Sequence, residues 1–185
     1  MLSISDIKTG KNLILNDEPY VVLYHEHSKT GRAGAVLRTR LRNLMTGAVL
    51  EKTFQGSDKV EGADLTKSKA QYLYAEQERY HFMDMENFDQ FTLSSAILGD
   101  APRYLMEGTE VTLLNFDGKP INIEIPIKVT LTVTDAPPGI KGDTASGGDK
   151  TVTCETGLTV VTPLFVKTGD KIIINTERGT YVSKA

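Results

Sequence analysis

The chain has 185 residues, with 21 lysines and arginines against 24 aspartates and glutamates, and a net charge of -3. Its 39% hydrophobic content is ordinary for a soluble globular protein, and no apolar run approaches the roughly 18 residues that span a membrane. The acidic balance argues against indiscriminate nucleic-acid binding, which depends on broad positive potential.

The amino-terminal residues lack the basic-then-apolar layout of a signal peptide. The single Cys154 has no partner for an intramolecular disulfide, and its simplest interpretation is a small, half-buried strand residue. Both observations predict a cytoplasmic protein that binds no membrane.

Short strands separated by turns account for most of the first block, residues 1–64. We predict strands at residues 12–15, 20–26, 35–43 and 48–54, and loops at residues 56–58 and 61–64. Strands this short and evenly spaced favour a small barrel, because closure protects their edges.

The second block, residues 65–126, is also β-rich and is acidic. Asp117-Gly118 is a hairpin-turn dipeptide, and residues 96–98 form one short helical segment. Five cations oppose ten acids in this block, so we do not expect phosphate contacts there. The predicted strands are residues 71–75, 79–83, 88–92, 110–115 and 120–125.

The third block, residues 127–185, opens with the clearest alternating strand, residues 128–135. Residues 136–148 follow without any periodic pattern, and a loop of that length is typically functional or disordered. Further strands are predicted at residues 151–154, 159–161, 171–175 and 180–182. The fold class is therefore all-β, with three small barrels in a row.

A stripe of three arginines lies in the predicted strand 35–43. Arg38, Arg40 and Arg42 alternate with other residues, so they share one face at intervals of roughly 6.6 Å. No Asp or Glu occurs between residues 28 and 50. Because arginine pairs bidentately with phosphate, the stripe favours a nucleic-acid backbone, and the alternative is a solvated strand face.

The predicted hairpin tip before this strand carries one cation, Arg32, among the small residues Gly31, Ala33 and Gly34. Small neighbours let a backbone and one long side chain enter a narrow space. The alternative interpretation is an ordinary flexible turn.

Catalytic and metal-binding patterns are thin. His25 and His27 could share a strand face, but nothing nearby supplies a third ligand at metal spacing. The sequence has no phosphate-binding glycine loop and no Gly-x-Ser-x-Gly elbow, and Cys154 has no local catalytic signature. We therefore expect neither an enzyme, a metal site nor a cofactor.

Taken in order, several motifs resemble bacterial translation elongation factor P along nearly the full length of the chain. The matching segments are Gly31-Arg32-Ala33, residues 38–47, residues 51–54, Tyr72-Leu73-Tyr74, Phe82-Met83-Asp84, residues 138–144, residues 157–169, Asn175-Thr176 and Tyr181.

The resemblance implies a KOW/SH3-like barrel at residues 1–64 and two OB-folds at residues 65–126 and 127–185, arranged in an elongated L shape. It implies a monomeric, non-enzymatic cytoplasmic factor that binds both ribosomal subunits between the P and E sites. Such a factor steadies the P-site peptidyl-tRNA and stimulates peptide bond formation at consecutive prolines.

The resemblance also implies roles for individual residues. Arg32 would be the tip residue that reaches toward the peptidyl-transferase centre. The candidates for tRNA or rRNA contact are Lys29, Arg38, Arg40 and Arg42, and those for contact with the E-site mRNA codon are Gly142, Asp143 and Thr144.

The tip departs from the family pattern. Many members carry a lysine that is extended by modification, and Arg32 cannot be extended that way. A subset with arginine is rhamnosylated in a Ser-Gly-Arg-Asn context, but here Thr30 and Ala33 replace the serine and asparagine. We prefer an unmodified Arg32, and the alternative adds an arginine rhamnosyltransferase as a partner.

Three other identities stay open at this point. One is an elongation factor P-like paralogue, whose tip often reads Ala-Arg-Gly-Ala. Another is a generic OB-fold RNA-binding protein without a ribosomal role, which predicts basic residues and stacking aromatics across the second or third block. The last is a small β-rich enzyme.

Overall fold

The computed structural model of the chain describes residues 1–29, 35–138 and 148–185. Within these ranges the chain forms three five-stranded sheets, and each sheet is built from one contiguous stretch of sequence. Neighbouring strands pair antiparallel in all three sheets. The predicted fold class, an all-β protein of three small barrels, is confirmed.

The first sheet is formed by β1 (Asn12–Leu15), β2 (Glu18–Lys29), β3 (Ala35–Asn43), β4 (Val49–Gln55) and β5 (Glu61–Gly62). The spatial order is β4-β3-β2-β1-β5, and a 3-10 helix at Ile4–Asp6 precedes the sheet. Leu37 and Leu41 of β3 are fully buried in a core that also contains Leu13 and Phe54. Because successive strand residues point to opposite faces, the arginines of β3 are directed away from this core.

The second sheet is formed by β6 (Thr66–Glu76), β7 (Arg79–Asp84), β8 (Gln90–Ser94), β9 (Glu110–Phe116) and β10 (Lys119–Glu124). The order is β10-β9-β6-β7-β8, and the two outer strands also contact each other. Between β8 and β9 lie a one-turn helix, α1 (Ser95–Leu98), and a 3-10 helix, Ala101–Tyr104. In the part of the chain that the structure describes, no helix has the length and apolar character needed to cross a membrane.

The turn between β9 and β10 has the predicted hairpin geometry. Asp117 and Gly118 have φ angles of 50° and 73°, and the flanking residues Phe116 and Lys119 are paired. Positive φ at both central residues is the two-residue turn whose twist matches that of the strands.

The third sheet is formed by β11 (Lys128–Asp135), β12 (Asp149–Cys154), β13 (Thr159–Pro163), β14 (Lys171–Asn175) and β15 (Thr180–Lys184). The order is β13-β12-β11-β14-β15, and the outer strands β13 and β15 contact each other. Its core includes Leu131, Val152, Ile172 and Ile174, all almost completely buried.

Some residues from the part of the chain that forms the second sheet also pack in the core of the third sheet. Tyr104 is 7% exposed and belongs to the apolar core of the third sheet, with Met106 and Ile125 packed against that core. Thr176 fastens the connecting segment, since its Oγ1 donates a hydrogen bond of 2.7 Å to the Pro126 carbonyl. The second and third sheets are therefore joined by packed side chains as well as by the chain itself.

Two details of the strand predictions were wrong. Residues 61–64 were predicted to be a loop, whereas Glu61 and Gly62 pair with Ile14 and Leu13 to form β5. The strand predicted at residues 88–92 begins only at Gln90, because Phe88 has a φ of 62° that a strand does not adopt.

Candidate nucleic-acid interface

Strand β3 separates a buried face from an exposed arginine-bearing face. Thr39 is buried between Leu37 and Leu41, and its Oγ1 donates a hydrogen bond of 2.8 Å to the Lys52 carbonyl, which satisfies its polar group. On the opposite side Arg38 and Arg40 are exposed. The predicted shared face for these two arginines is therefore present.

The neighbouring strands add two carboxylates and an aromatic ring to this face. Glu26 of β2 lies opposite Arg38, while Tyr24 of β2 and Glu51 of β4 lie on the two sides of Arg40. Tyr24 is 52% exposed. We call the surface bearing these five residues the arginine face, and it lines an open groove of about 590 Å³.

The arginines and carboxylates of the arginine face are neighbours, but Arg38 and Arg40 form no ion pairs within 4.0 Å among the described residues. Their guanidinium groups are therefore available to an external anion, which must also approach Glu26 and Glu51. Sequence reasoning missed these carboxylates because they lie just outside the acid-free segment 28–50 and join it only through strand register.

Arg42, the third predicted member of the stripe, is used differently. It is half-buried, and its Nη2 donates a hydrogen bond of 2.6 Å to the carbonyl oxygen of Ile97 in α1, 55 residues further along the chain. The structure thus brings Arg38 and Arg40 together on an open surface. It places the guanidinium of Arg42 against α1, in the part of the chain that forms the second sheet.

Of the other predicted site residues, one lies at the end of a described range and the rest lie outside the described residues. Lys29 ends β2 and is paired with Ala35. The tip residues Gly31, Arg32, Ala33 and Gly34 lie outside the described residues, as do Gly142, Asp143 and Thr144 of the predicted codon loop.

The two hairpin histidines are engaged with protein groups. The backbone N–H of Thr9 donates to Nδ1 of His25 at 3.2 Å, and Oγ1 of Thr9 lies 3.0 Å from the same atom. The rings of His25 and His27 are 5.9 Å apart in an edge-to-face arrangement. Within the described ranges, no three His, Cys, Asp or Glu side chains are placed to hold a metal ion.

Cys154 is more deeply buried than predicted, with 2% of its surface exposed. Burial raises the pKa of its thiol, and the nearby Glu155 carboxylate adds to this effect. Because the thiolate is the nucleophilic form, this cysteine is a packing residue and not a reactive one.

Among the described residues of the second sheet, two aromatic pairs are stacked, but only the pair that contains Tyr74 has a well exposed ring, and it has little positive charge beside it. The rings of Tyr74 and His81 lie 4.5 Å apart and nearly parallel, and Tyr74 is exposed. Glu76 follows on the same strand, and Glu107 raises the pKa of nearby Tyr72 after the larger effect of burial. Single-stranded RNA needs cations beside such a stack, so this surface does not favour a generic RNA-binding protein.

Three successive sheets, with an exposed arginine pair on the first, define a protein built from KOW-like and OB β-barrels. Residues 3–60 match the model of the elongation factor P KOW-like domain, residues 65–123 that of the elongation factor P OB domain, and residues 129–184 that of the elongation factor P C-terminal domain. The chain belongs to the elongation factor P family, a family of translation elongation factors.

A curated relative and two solved structures are also similar. Elongation factor P of Pelotomaculum thermopropionicum is 47% identical over 184 residues, covering 100% of both chains. The eukaryotic translation initiation factor 5A from Methanococcus jannaschii is 21% identical with a TM-score of 0.48, covering 66% of this chain and 94% of that one. A translation initiation factor eif-5a family protein from Naegleria fowleri is 15% identical with a TM-score of 0.44, covering 67% and 96%.

Proposed function

We propose that the protein binds the ribosome between the P and E sites, steadies the P-site peptidyl-tRNA and stimulates peptide bond formation at consecutive prolines. The observation that carries this proposal is the pair of exposed arginines, Arg38 and Arg40, on an open face of the first barrel in a chain of this family. Guanidinium groups suit the phosphates of tRNA, because the pairing is bidentate and charge-assisted.

The proposed mechanism is one of positioning and involves no chemistry by the factor itself. Proline's ring fixes φ, and its secondary amine reacts poorly as a peptidyl acceptor and donor. A factor that holds the peptidyl-tRNA in its reactive geometry lowers the entropic part of the barrier. The bond is made by the ribosome, so the factor is not an enzyme and needs no cofactor.

Within this mechanism Arg32 is the residue delivered toward the peptidyl-transferase centre. It is the one cation among residues 30–34, which join β2 to β3 in the sequence. Lys29, Arg38 and Arg40 contact tRNA or rRNA along the hairpin. We assign Arg42 separately, because its guanidinium already donates to Ile97.

The third domain contacts the E-site mRNA codon through Gly142, Asp143 and Thr144, since backbone and short polar groups can read single-stranded bases. The domains span residues 1–64, 65–126 and 127–185, each holding one sheet. The protein works in the cytoplasm as a monomer, with the ribosome as its partner.

Arg32 acts without modification in this proposal. Intact mass spectrometry of the natively expressed protein tests that point, because rhamnosylation adds the mass of one deoxyhexose. Such a mass shift would replace the unmodified arginine with a rhamnosylated one and would add an arginine rhamnosyltransferase to the partners.

In vitro translation of a reporter with three consecutive prolines tests the function. Wild-type protein is expected to relieve the stall, and Arg32→Ala to lose most of this effect. Arg79→Ala is a matched control, because Arg79 is an exposed arginine at the start of β7 in the second sheet. No relief by wild-type protein would overturn the proposal.

A further inference from the structure

We propose that Arg42 is a positioning residue, which fixes the direction of the β2–β3 hairpin by fastening the base of β3 to the second unit. This inference rests on the proposed function, since that function requires the hairpin to deliver its tip accurately. It differs from the role that the arginine stripe predicts for Arg42, which is contact with tRNA or rRNA.

The Arg42 contact joins β3 of the first sheet to a part-buried carbonyl of α1, the short helix that precedes β9 of the second sheet. Its Nη2 donates a hydrogen bond of 2.6 Å to the Ile97 carbonyl, and Ile97 lies in the last turn of α1. The last carbonyls of a helix lack a partner within the helix, so the Ile97 carbonyl can accept a hydrogen bond from a guanidinium. The charge of Arg42 is thus matched to an acceptor inside the protein.

The space around this contact is shaped for the guanidinium. A Cβ atom added to Gly99 would lie 2.7 Å from Nη2 and 3.2 Å from Nη1 of Arg42. Gly99 also has a φ of 58°, which disfavours other residues. The guanidinium therefore packs directly against the backbone that ends α1.

Two further contacts surround the Arg42 contact, and together they make a joint. A Cβ atom on Gly47 would overlap the carbonyl oxygen of Ala96, so the turn after β3 lies directly on α1. Leu44, the residue that follows β3, packs in an apolar cluster with Leu114 and Ile121 of the second sheet. The base of the hairpin is consequently held at several points.

The length of β3 turns a small rotation at this joint into a large displacement. Ala35 is seven positions before Arg42 on β3, a distance of about 23 Å at about 3.3 Å per position. A rotation of about 5° at Arg42 would move the Ala35 end by about 2 Å, and a misplacement of about 1 Å can cost about 100-fold in rate. A contact far from the tip can therefore decide how well the tip is placed.

The test compares Arg42→Ala with Arg40→Ala in the polyproline translation assay, with Arg79→Ala as the control. For Arg42→Ala we expect the maximal rate of stall relief at saturating factor to fall about tenfold. The half-saturating factor concentration and its salt dependence should stay within about twofold, because no phosphate contact is lost. Arg40→Ala should show the reverse pattern.

Residual dipolar couplings of the free protein give a readout that does not depend on translation. For Arg42→Ala we expect the couplings to show either a different mean orientation of the first sheet relative to the second or a wider range of orientations. Arg42→Lys, which keeps one donor and avoids a cavity, should restore part of the maximal rate even if Arg42→Ala folds poorly.

Two results would overturn the inference. In the first, Arg42→Ala has a normal maximal rate, a raised half-saturating concentration and a shallower salt dependence. That result would mean that Arg42 contacts nucleic acid. The other is an unchanged orientation in the dipolar couplings. Failure of the proposed function looks different, because wild-type protein itself would then give no relief.

Discussion

Arg40 of β3 lies directly opposite Glu51 of β4, on the exposed side of the first sheet. On its other side Arg40 is paired with Tyr24. A carboxylate beside the guanidinium lowers the local positive potential, so the arginine face is weaker toward polyanions than its arginines alone would make it. The lower potential weakens binding to nucleic acids in general, and so favours partners whose shape fits the arginine face.

Removing the charge of Glu51 is therefore expected to strengthen RNA binding. Glu51→Gln should tighten the Kd for tRNA about two- to fivefold, the size of a surface charge interaction of about 0.5–1 kcal/mol. The gain should shrink at high salt and should be at least as large for an unstructured RNA of equal length. Glu61→Gln in β5, at the other edge of the sheet, is the isosteric control. Weaker binding by Glu51→Gln would mean that Glu51 orients Arg40 for its partner.

Loss of either exposed arginine should weaken ribosome binding in a salt-dependent way. For Arg38→Ala and Arg40→Ala we expect lower affinity and a slope of log K against log salt that is shallower by about 0.7–0.9 for each lost phosphate contact. Equilibrium binding at several salt concentrations measures both quantities. Unchanged affinity together with an unchanged slope would assign the two residues to a solvated strand face.

Gly47 and Gly10 separate the effect of backbone strain from that of a steric clash. Both have φ near 80°, but a Cβ on Gly10 would meet no atom within 4 Å, whereas one on Gly47 would overlap the Ala96 carbonyl. Gly10→Ala should lower the free energy of unfolding by about 1 kcal/mol through strain alone. Gly47→Ala should cost about 3 kcal/mol or more, since backbone must move. Urea denaturation measures both, and equal losses would contradict the predicted overlap.

Tyr104 is expected to stabilise the third sheet although it comes from the second stretch of the chain. Truncation to alanine removes a buried ring from the core of the third sheet and should lower the free energy of unfolding by about 3–5 kcal/mol. Tyr104→Phe keeps the ring and should cost less than about 1 kcal/mol. Unfolding followed by amide signals of β11 and β14 reports on the relevant sheet. A small effect of Tyr104→Ala would show that the two units are stable independently.

Asp170 should contribute stability that disappears in acid. Its carboxylate accepts a hydrogen bond from Lys184 Nζ at 2.7 Å and another from the Lys167 N–H at 2.7 Å, and these contacts lower its pKa below the ordinary value of 3.8. A carboxyl whose pKa is lower in the folded state stabilises the fold above its unfolded pKa, and the contribution is lost as the pH falls through the folded pKa. Asp170→Asn should therefore have a lower thermal midpoint than wild type at about pH 7, and this difference should shrink at about pH 3.

The exposed Asp149 provides the control for this pH dependence, because Asp149→Asn removes a carboxylate that lies on the surface of β12. Its thermal midpoint should differ little from wild type at either pH. A difference for Asp170→Asn that persisted unchanged in acid would point to lost packing as the cause.

Strand β3 could be predicted from the sequence alone, because it depends on a local property. Between residues 37 and 42 Leu37 and Leu41 alternate with arginines, and such a pattern places one face in a core whatever the neighbouring strands are. Strand β5 could not be predicted in this way. Its two residues, Glu61 and Gly62, become a strand only because β1 is at hand to pair with them.

The arginine face shows the same division between local and distant information. Its cations follow from spacing within one strand, whereas Glu26 and Glu51 reach it through register with two other strands. Arg42 differs from Arg38 and Arg40 because it contacts α1, which lies more than fifty residues further along the chain. No pattern near Arg42 carries that information, so sequence reasoning grouped it with Arg38 and Arg40.

The placement of Tyr104 also bears on the order in which the protein is made. Chains grow from the amino terminus and fold unit by unit, so the first two sheets are complete while the third is still being synthesised. During that interval Tyr104 and Met106 have no third core to enter. A translation factor of this architecture thus passes through a nascent stage with an uncovered apolar surface, which is closed only when the strands β11 to β15 have left the ribosome.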